Sequence, residues 1–230
     1  MPTLKDTYTL GNSTTPKNLD IDVAVGDLIV VFAADSTFGD FSDLPTATGV
    51  TFELLESVPA SAFEICATSV WAGVSTVSDS SLTVSAEYGG FPSDNWFLGI
   101  AVFEDAQVGA TTEADGGSSQ GAPSGTLVTT EDNSSIFYAS SDGFWASTGT
   151  RTYRTINSFT PTAGDGELWV DENDNATYGA FYPDAGTAGS KTVGMTQPNS
   201  QTWALVAVEL TAGGGGGFDP RKASQFLTFF

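Results

Sequence analysis

One apolar run occurs twice in this chain, and it dictates what kind of core the rest must build. Trp203-Ala204-Leu205-Val206-Ala207-Val208-Glu209-Leu210 follows the turn residues Gln197-Pro198-Asn199-Ser200. Its echo, Trp96-Phe97-Leu98-Gly99-Ile100-Ala101-Val102-Phe103-Glu104, follows Phe91-Pro92-Ser93-Asp94-Asn95 and lies 107 residues earlier. Short, continuously apolar runs bounded by turn formers read as buried strands. Leu28-Ile29-Val30-Val31-Phe32-Ala33 has the same character after the turn Gly26-Asp27, whereas Leu19-Asp20-Ile21-Asp22-Val23 alternates as a half-buried strand does. No segment keeps a helical periodicity for ten residues without a Gly, a Pro or a β-branched cluster. With 26 glycines supplying turns, the chain reads as all-β.

The expected architecture is a β-sandwich of jelly-roll-like type spanning residues 1–212, built from two related halves of about seven strands each, 10–106 and 117–212. The halves are suggested by four pairs, Pro16/Pro123, Asp35/Asp142, Trp71/Tyr178 and Trp96/Trp203, each separated by 107 residues. Gly109 to Gly125, polar and Gly-rich, reads as an exposed crossover between them. A glycine linker, 213–217, leads to a terminal peptide, 218–230.

A formal net charge of −21 with no histidine argues against nucleic-acid and anionic-membrane partners. No run of about 18 apolar residues is present to span a membrane as a helix. The N-terminal residues lack the apolar stretch of a signal peptide, and with a single cysteine, synthesis in a reducing cytoplasm is expected. The single cysteine, Cys66, reads as a small core residue.

Catalytic constellations are thin. Without histidine there is no Ser-His-Asp or Cys-His arrangement. A Ser-Lys pair would have to use Lys5, Lys17, Lys191 or Lys222, all beside turns and expected to be exposed. Carboxylate pairs such as Glu53/Glu56 and Glu104/Asp105 read as solvated strand faces in a chain with 28 acids. Asp171-Glu172-Asn173-Asp174-Asn175 opens like a calcium loop, but Ala176 replaces the turn glycine and Tyr182 the closing glutamate, so a tight turn is expected. The sequons at Asn12, Asn133 and Asn175 read as turns. Phe144, Trp145, Tyr153, Trp169, Tyr178, Phe181 and Tyr182 are expected to form the second half's core, with sugar stacking as the alternative. Neither a metal nor a cofactor is expected.

The terminal peptide stands apart. Phe218 to Phe230 holds two of the seven basic residues, Arg221 and Lys222, and one of the 28 acids, for a side-chain charge of +1 against −22 elsewhere. Phe218, Phe226, Leu227, Phe229 and Phe230 make it an aggregation hazard unless docked. Burying one phenylalanine is worth up to about 4 kcal/mol before entropy. Five glycines span about 12 Å on average, enough to leave the parent body. The peptide is therefore expected to bind a partner through Phe218, Arg221, Lys222, Phe226, Leu227, Phe229 and Phe230.

The Gly26–Val31 opening, Trp71-Ala72-Gly73 with its Ser/Thr-rich strands, and Trp203–Glu209 together resemble virion structural proteins of tailed bacteriophages over roughly Pro16 to Leu210. That resemblance implies a non-enzymatic virion protein: a capsid decoration or minor capsid protein, or a minor tail protein. It implies a major capsid protein or another virion protein as partner, and a homo-oligomer such as a trimer. The alternative is a tail-tip or tail-fibre-associated module that binds host glycans.

Overall fold

The computed structural model describes residues 1–11, 16–35, 44–59, 66–87, 96–116, 121–142, 150–171 and 176–213. No helix occurs among them, and the fold is all-β, of sandwich type. Fifteen strands occur among the described residues: β1 (Thr3–Leu10), β2 (Lys17–Val23), β3 (Leu28–Asp35), β4 (Glu53–Pro59), β5 (Ala67–Val74), β6 (Asp79–Ala86), β7 (Trp96–Glu104), β8 (Ala106–Asp115), β9 (Ser124–Thr129), β10 (Ser135–Asp142), β11 (Thr152–Tyr153), β12 (Glu167–Asp171), β13 (Ala176–Tyr182), β14 (Gly189–Gln197) and β15 (Trp203–Ala212).

Two five-stranded antiparallel sheets form the centre, ordered β1-β7-β3-β5-β4 and β12-β13-β10-β15-β8. Read from its β8 end, the second repeats the order of the first. Outer sheets β2-β6 and β11-β14-β9 cover the two remaining faces. The result is four layers with three apolar seams. Leu28, Val30, Phe32, Phe97 and Phe103 of the first sheet meet Phe137, Val206, Val208 and Leu210 of the second in the central seam. Ile29, Val31, Ile100 and Val102 pack against Ile21, Leu82 and Val84 on one flank. Ile136, Tyr138, Leu205 and Ala207 pack against Leu127, Val193 and Met195 on the other. This explains the continuously apolar runs: both faces of the inner sheets are covered, so neither parity can be polar.

The register carries the same offset as the sequence. Leu28 to Asp35 pair with Phe103 to Trp96, and Ser135 to Asp142 pair with Leu210 to Trp203. Asp35 thus faces Trp96 as Asp142 faces Trp203. Pro16 and Pro123 stand just before β2 and β9. Trp71 and Tyr178 do not correspond: Trp71 pairs with Val31, whereas Tyr138, 107 residues after Val31, pairs with Ala180. The β13 ladder has slipped by two residues, which preserves the face each side chain occupies.

The first part of the segment expected to be an exposed crossover, Gly109 to Asp115, belongs to β8, and its last two residues open β9. The polar composition of β8 is that of an edge strand, and Thr111-Thr112 favour extended backbone. In the two sheet orders β1 and β8 hold matching terminal places. Thr152 to Ile156 contains only the two-residue β11, after which Ile156 turns back to bridge Phe159.

Candidate functional site

The body has two unlike ends. The described strand ends Leu10, Asp35, Pro59 and Trp96 lie at one end of the first half, and Asp115, Asp142 and Trp203 at one end of the second. These ends coincide in space. Cys66 Sγ lies 3.5 Å from Thr202 O, and the Thr68 and Ser141 hydroxyls are 2.6 Å apart. At the opposite end several connections are tight, alongside the longer β11–β12 connection. Gly26 N–H donates to Ser75 O, Asn133 sits in a turn at φ 56°, and Asp105 joins β7 to β8 at φ 51°.

The described C-terminal strand ends at this tight-turn end. Gly213 N–H donates to Asp105 O at 2.7 Å, continuing the β15–β8 ladder one residue beyond Ala212. The expected partner-binding residues Phe218, Arg221, Lys222, Phe226, Leu227, Phe229 and Phe230 lie outside the described residues.

Glu209 fastens the same region. It occupies the place that Val102 holds in the first half, yet it is fully buried. Its Oε1 accepts from the amides of Thr130 and Glu131, at 2.8 and 3.1 Å. Its Oε2 accepts from the Ala110 amide and the Thr130 hydroxyl, at 3.0 and 2.8 Å. Burial alone would raise its pKa, but these donors outweigh it and hold the carboxyl below its ordinary range. Gly109 is required here, because a Cβ would come within 2.6 Å of Oε2.

The carboxylate pairs seen in the sequence form no acid-base couple among the described residues. Glu53 and Glu56 flank a bulge in β4, and Glu56 accepts a short hydrogen bond from the Thr111 hydroxyl of β8. Glu104 and Asp105 are exposed at the β7–β8 turn. Of the lysines, Lys17 departs from expectation. It is fully buried, its Nζ 4.7 Å above the Trp96 ring and donating to Gly11 O. Lys5 pairs with the buried Asp27 at 3.1 Å, and Lys191 donates to Thr187 O. Lys222 lies outside the described residues.

Tyr153, Trp169, Tyr178, Phe181 and Tyr182 are all core residues. Trp169 stacks on Phe32 at 5.6 Å in the central seam, so it presents no face to a sugar. Phe144 and Trp145 are outside the described residues, as are Glu172 to Asn175 of the calcium-like stretch. No cluster of three or more metal-ligating side chains occurs among the described residues. Cys66 is buried, as its flanking residues suggested.

One cavity, of about 340 Å³, was not anticipated. Thr150, Arg151, Tyr153, Pro161, Thr162, Ala163 and Glu167 line it. Arg151 Nε donates to Glu167 Oε2 at 3.1 Å, and the Tyr153 hydroxyl donates to the same oxygen at 3.1 Å. The only available signal was the rarity of cations: Arg151 and Arg154 are two of seven in the chain. No protein-family model matches the chain, and no curated protein matches it.

Proposed function

We propose that the chain is a non-enzymatic virion structural protein, a capsid decoration or minor capsid protein held on its particle by the segment Phe218–Phe230. The observation that carries this reading is the division of the body. The C-terminal strand, tied in through Glu209 and Gly213, delivers the cationic apolar segment at the tight-turn end. The connections β3–β4, β6–β7 and β10–β11 leave from the far end, and the one between β11 and β12 folds over the tight-turn end. A tether at one pole and long connections at the other suit a protein that stands on a surface and displays its distal end. The −21 charge keeps neighbouring copies apart at the high local concentration of a particle surface. Several weak terminal peptides per assembly would add avidity without large individual interfaces. Electron microscopy of intact particles tests the proposal: density for a four-layered β body on the capsid supports it, and density confined to the tail refutes the capsid assignment.

A second reading, a host-glycan-binding module, draws on the Arg151–Tyr153–Glu167 cavity, whose volume falls at the small end for ligand sites. Carboxylate, guanidinium and threonine hydroxyls suit a polyhydroxylated ligand. A glycan array showing binding that is lost on Glu167→Gln favours this reading over the first.

A further inference from the structure

We propose that the outer edge of β8 is a docking edge for residues Arg221–Phe230 of a second copy of this chain, which add antiparallel to it as one more strand. This rests on the reading that the terminal segment is buried outside its own body, and it names as the partner a neighbouring copy on the same particle.

The edge comes first. Among the described residues β8 closes its sheet, with β15 as its hydrogen-bonded neighbour on one side. Gly116 N–H donates to Trp203 O at 2.9 Å. By the antiparallel alternation, the amides of Ala114 and Thr112 then point towards β15, and those of Asp115, Glu113 and Thr111 point away. From Thr111 to Asp115 the pairing with β15 is unbroken. At ten residues β8 is the longest terminal strand of the two inner sheets. The other three are shorter, eight residues for β1, seven for β4, which ends in Pro59, and five for β12, and each carries a register shift as β8 does beyond Thr111.

The occupant follows from parity. Phe226 and Phe230 share one face of an extended strand, and Leu227 and Phe229 share the other. A strand apolar on both faces needs a sheet covered on both faces, which here means an inner sheet. Beside β8, Leu55 and Val108 offer apolar surface on the central-seam side, and Ala110 and Ala114 offer it on the outer side.

Charge sets the direction. Glu113 and Asp115 lie at one end of β8, with Glu56 across the seam. The Glu113 carboxyl is pushed above its ordinary pKa by burial, and then by the like charges of Glu56 and Asp115. Antiparallel addition brings Arg221 and Lys222 to this acidic end, one of the two on the seam face with Glu113, and sets the phenylalanines towards Ala106. Parallel addition would set Phe229 and Phe230 against the acids instead.

Reach excludes the chain's own segment. Gly213 is held at the Asp105 end, and antiparallel addition must start at the Asp115 end, about 30 Å away along an extended strand. Eight residues from Gly213 to Arg221 cover at most about 29 Å fully extended, with nothing left for the reversal. A second copy has no such limit.

Size-exclusion chromatography with light scattering on the full chain tests this, alongside a chain ending at Ala212 and the variant Glu113→Pro. Proline at an outward-facing amide removes the docking donor and leaves the β15 ladder intact. The full chain is expected to associate, while truncation and Glu113→Pro both give monomers that keep the full chain's β circular-dichroism spectrum. Glu113→Lys with Asp115→Lys should weaken association at least tenfold, and Arg221→Glu with Lys222→Glu should restore it in that background, a rescue that misfolding cannot mimic. Association that survives both Glu113→Pro and the lysine pair overturns the docking edge. A monomeric full chain that still needs its terminal segment to bind particles overturns the second-copy occupant and leaves attachment standing. If truncation changes neither mass nor particle binding, both ideas fall.

Discussion

Thr68 and Ser141, 73 residues apart, share a hydroxyl–hydroxyl hydrogen bond of 2.6 Å where the two inner sheets meet. Both are out of solvent, and Thr68 Oγ1 also lies 3.2 Å from Ala204 O. The central seam around them is the shared core of both halves, not an interface between finished domains. Equilibrium denaturation should therefore show one transition by fluorescence and by circular dichroism. Residues 106–213 expressed alone should be insoluble or unfolded, since Phe137, Val206 and Val208 would face water. Two separable transitions would contradict this.

Gly179 lies directly under the Trp169 indole, and a Cβ there would overlap the ring. Gly179→Ala is expected to cost about 1–3 kcal/mol by overpacking. Trp169→Ala should cost about 3–5 kcal/mol by emptying the aromatic cluster. In combination with Trp169→Phe, Gly179→Ala should cost less than it does alone. Urea unfolding of the double-mutant cycle checks the coupling.

The Glu209 carboxylate should make stability depend on acid. Its folded pKa is lowered, so its contribution is complete above the unfolded value of about 4.3 and drains away as pH falls through the folded value. Glu209→Gln should lose about 1.5–3 kcal/mol at neutral pH. Denaturation curves at pH 7 and pH 3 should show the gap between wild type and variant closing in acid.

Tyr138, Tyr153 and Tyr182 have pKa values raised chiefly by burial; the charge of Glu167 adds to the rise at Tyr153. Their contribution to stability is complete below about pH 10, the unfolded value, and is lost as pH climbs beyond it. Ultraviolet titration should show these three phenols ionising only together with alkaline unfolding. Smooth titration near pH 10 with the fold intact would count against their burial.

The strands were legible because each layer stamps its own pattern. Strands covered on both sides, such as Trp203–Val208 of β15 and Leu28–Ala33 of β3, are continuously apolar, and β2, covered on one side, alternates. The 107-residue offset of Asp35/Asp142 and Trp96/Trp203 survives as true register because β3 pairs with β7, and β10 with β15, without interruption. Trp71/Tyr178 misled because a two-residue slip keeps every side chain on its face and leaves no trace in the pattern. β8 was hidden because an edge strand tied to Thr130 and Glu131 through Glu209 needs few apolar residues. The Arg151–Glu167 couple was invisible because 16 residues separate its members along the chain, and only folding sets them 3.1 Å apart.

The most direct test compares the full chain with a chain ending at Ala212 for co-sedimentation with the phage particles proposed to carry it. The shortened chain is expected to keep the full chain's β circular-dichroism spectrum and to stay in the supernatant while the full chain pellets. Equal pelleting of the two would contradict attachment through Phe218–Phe230.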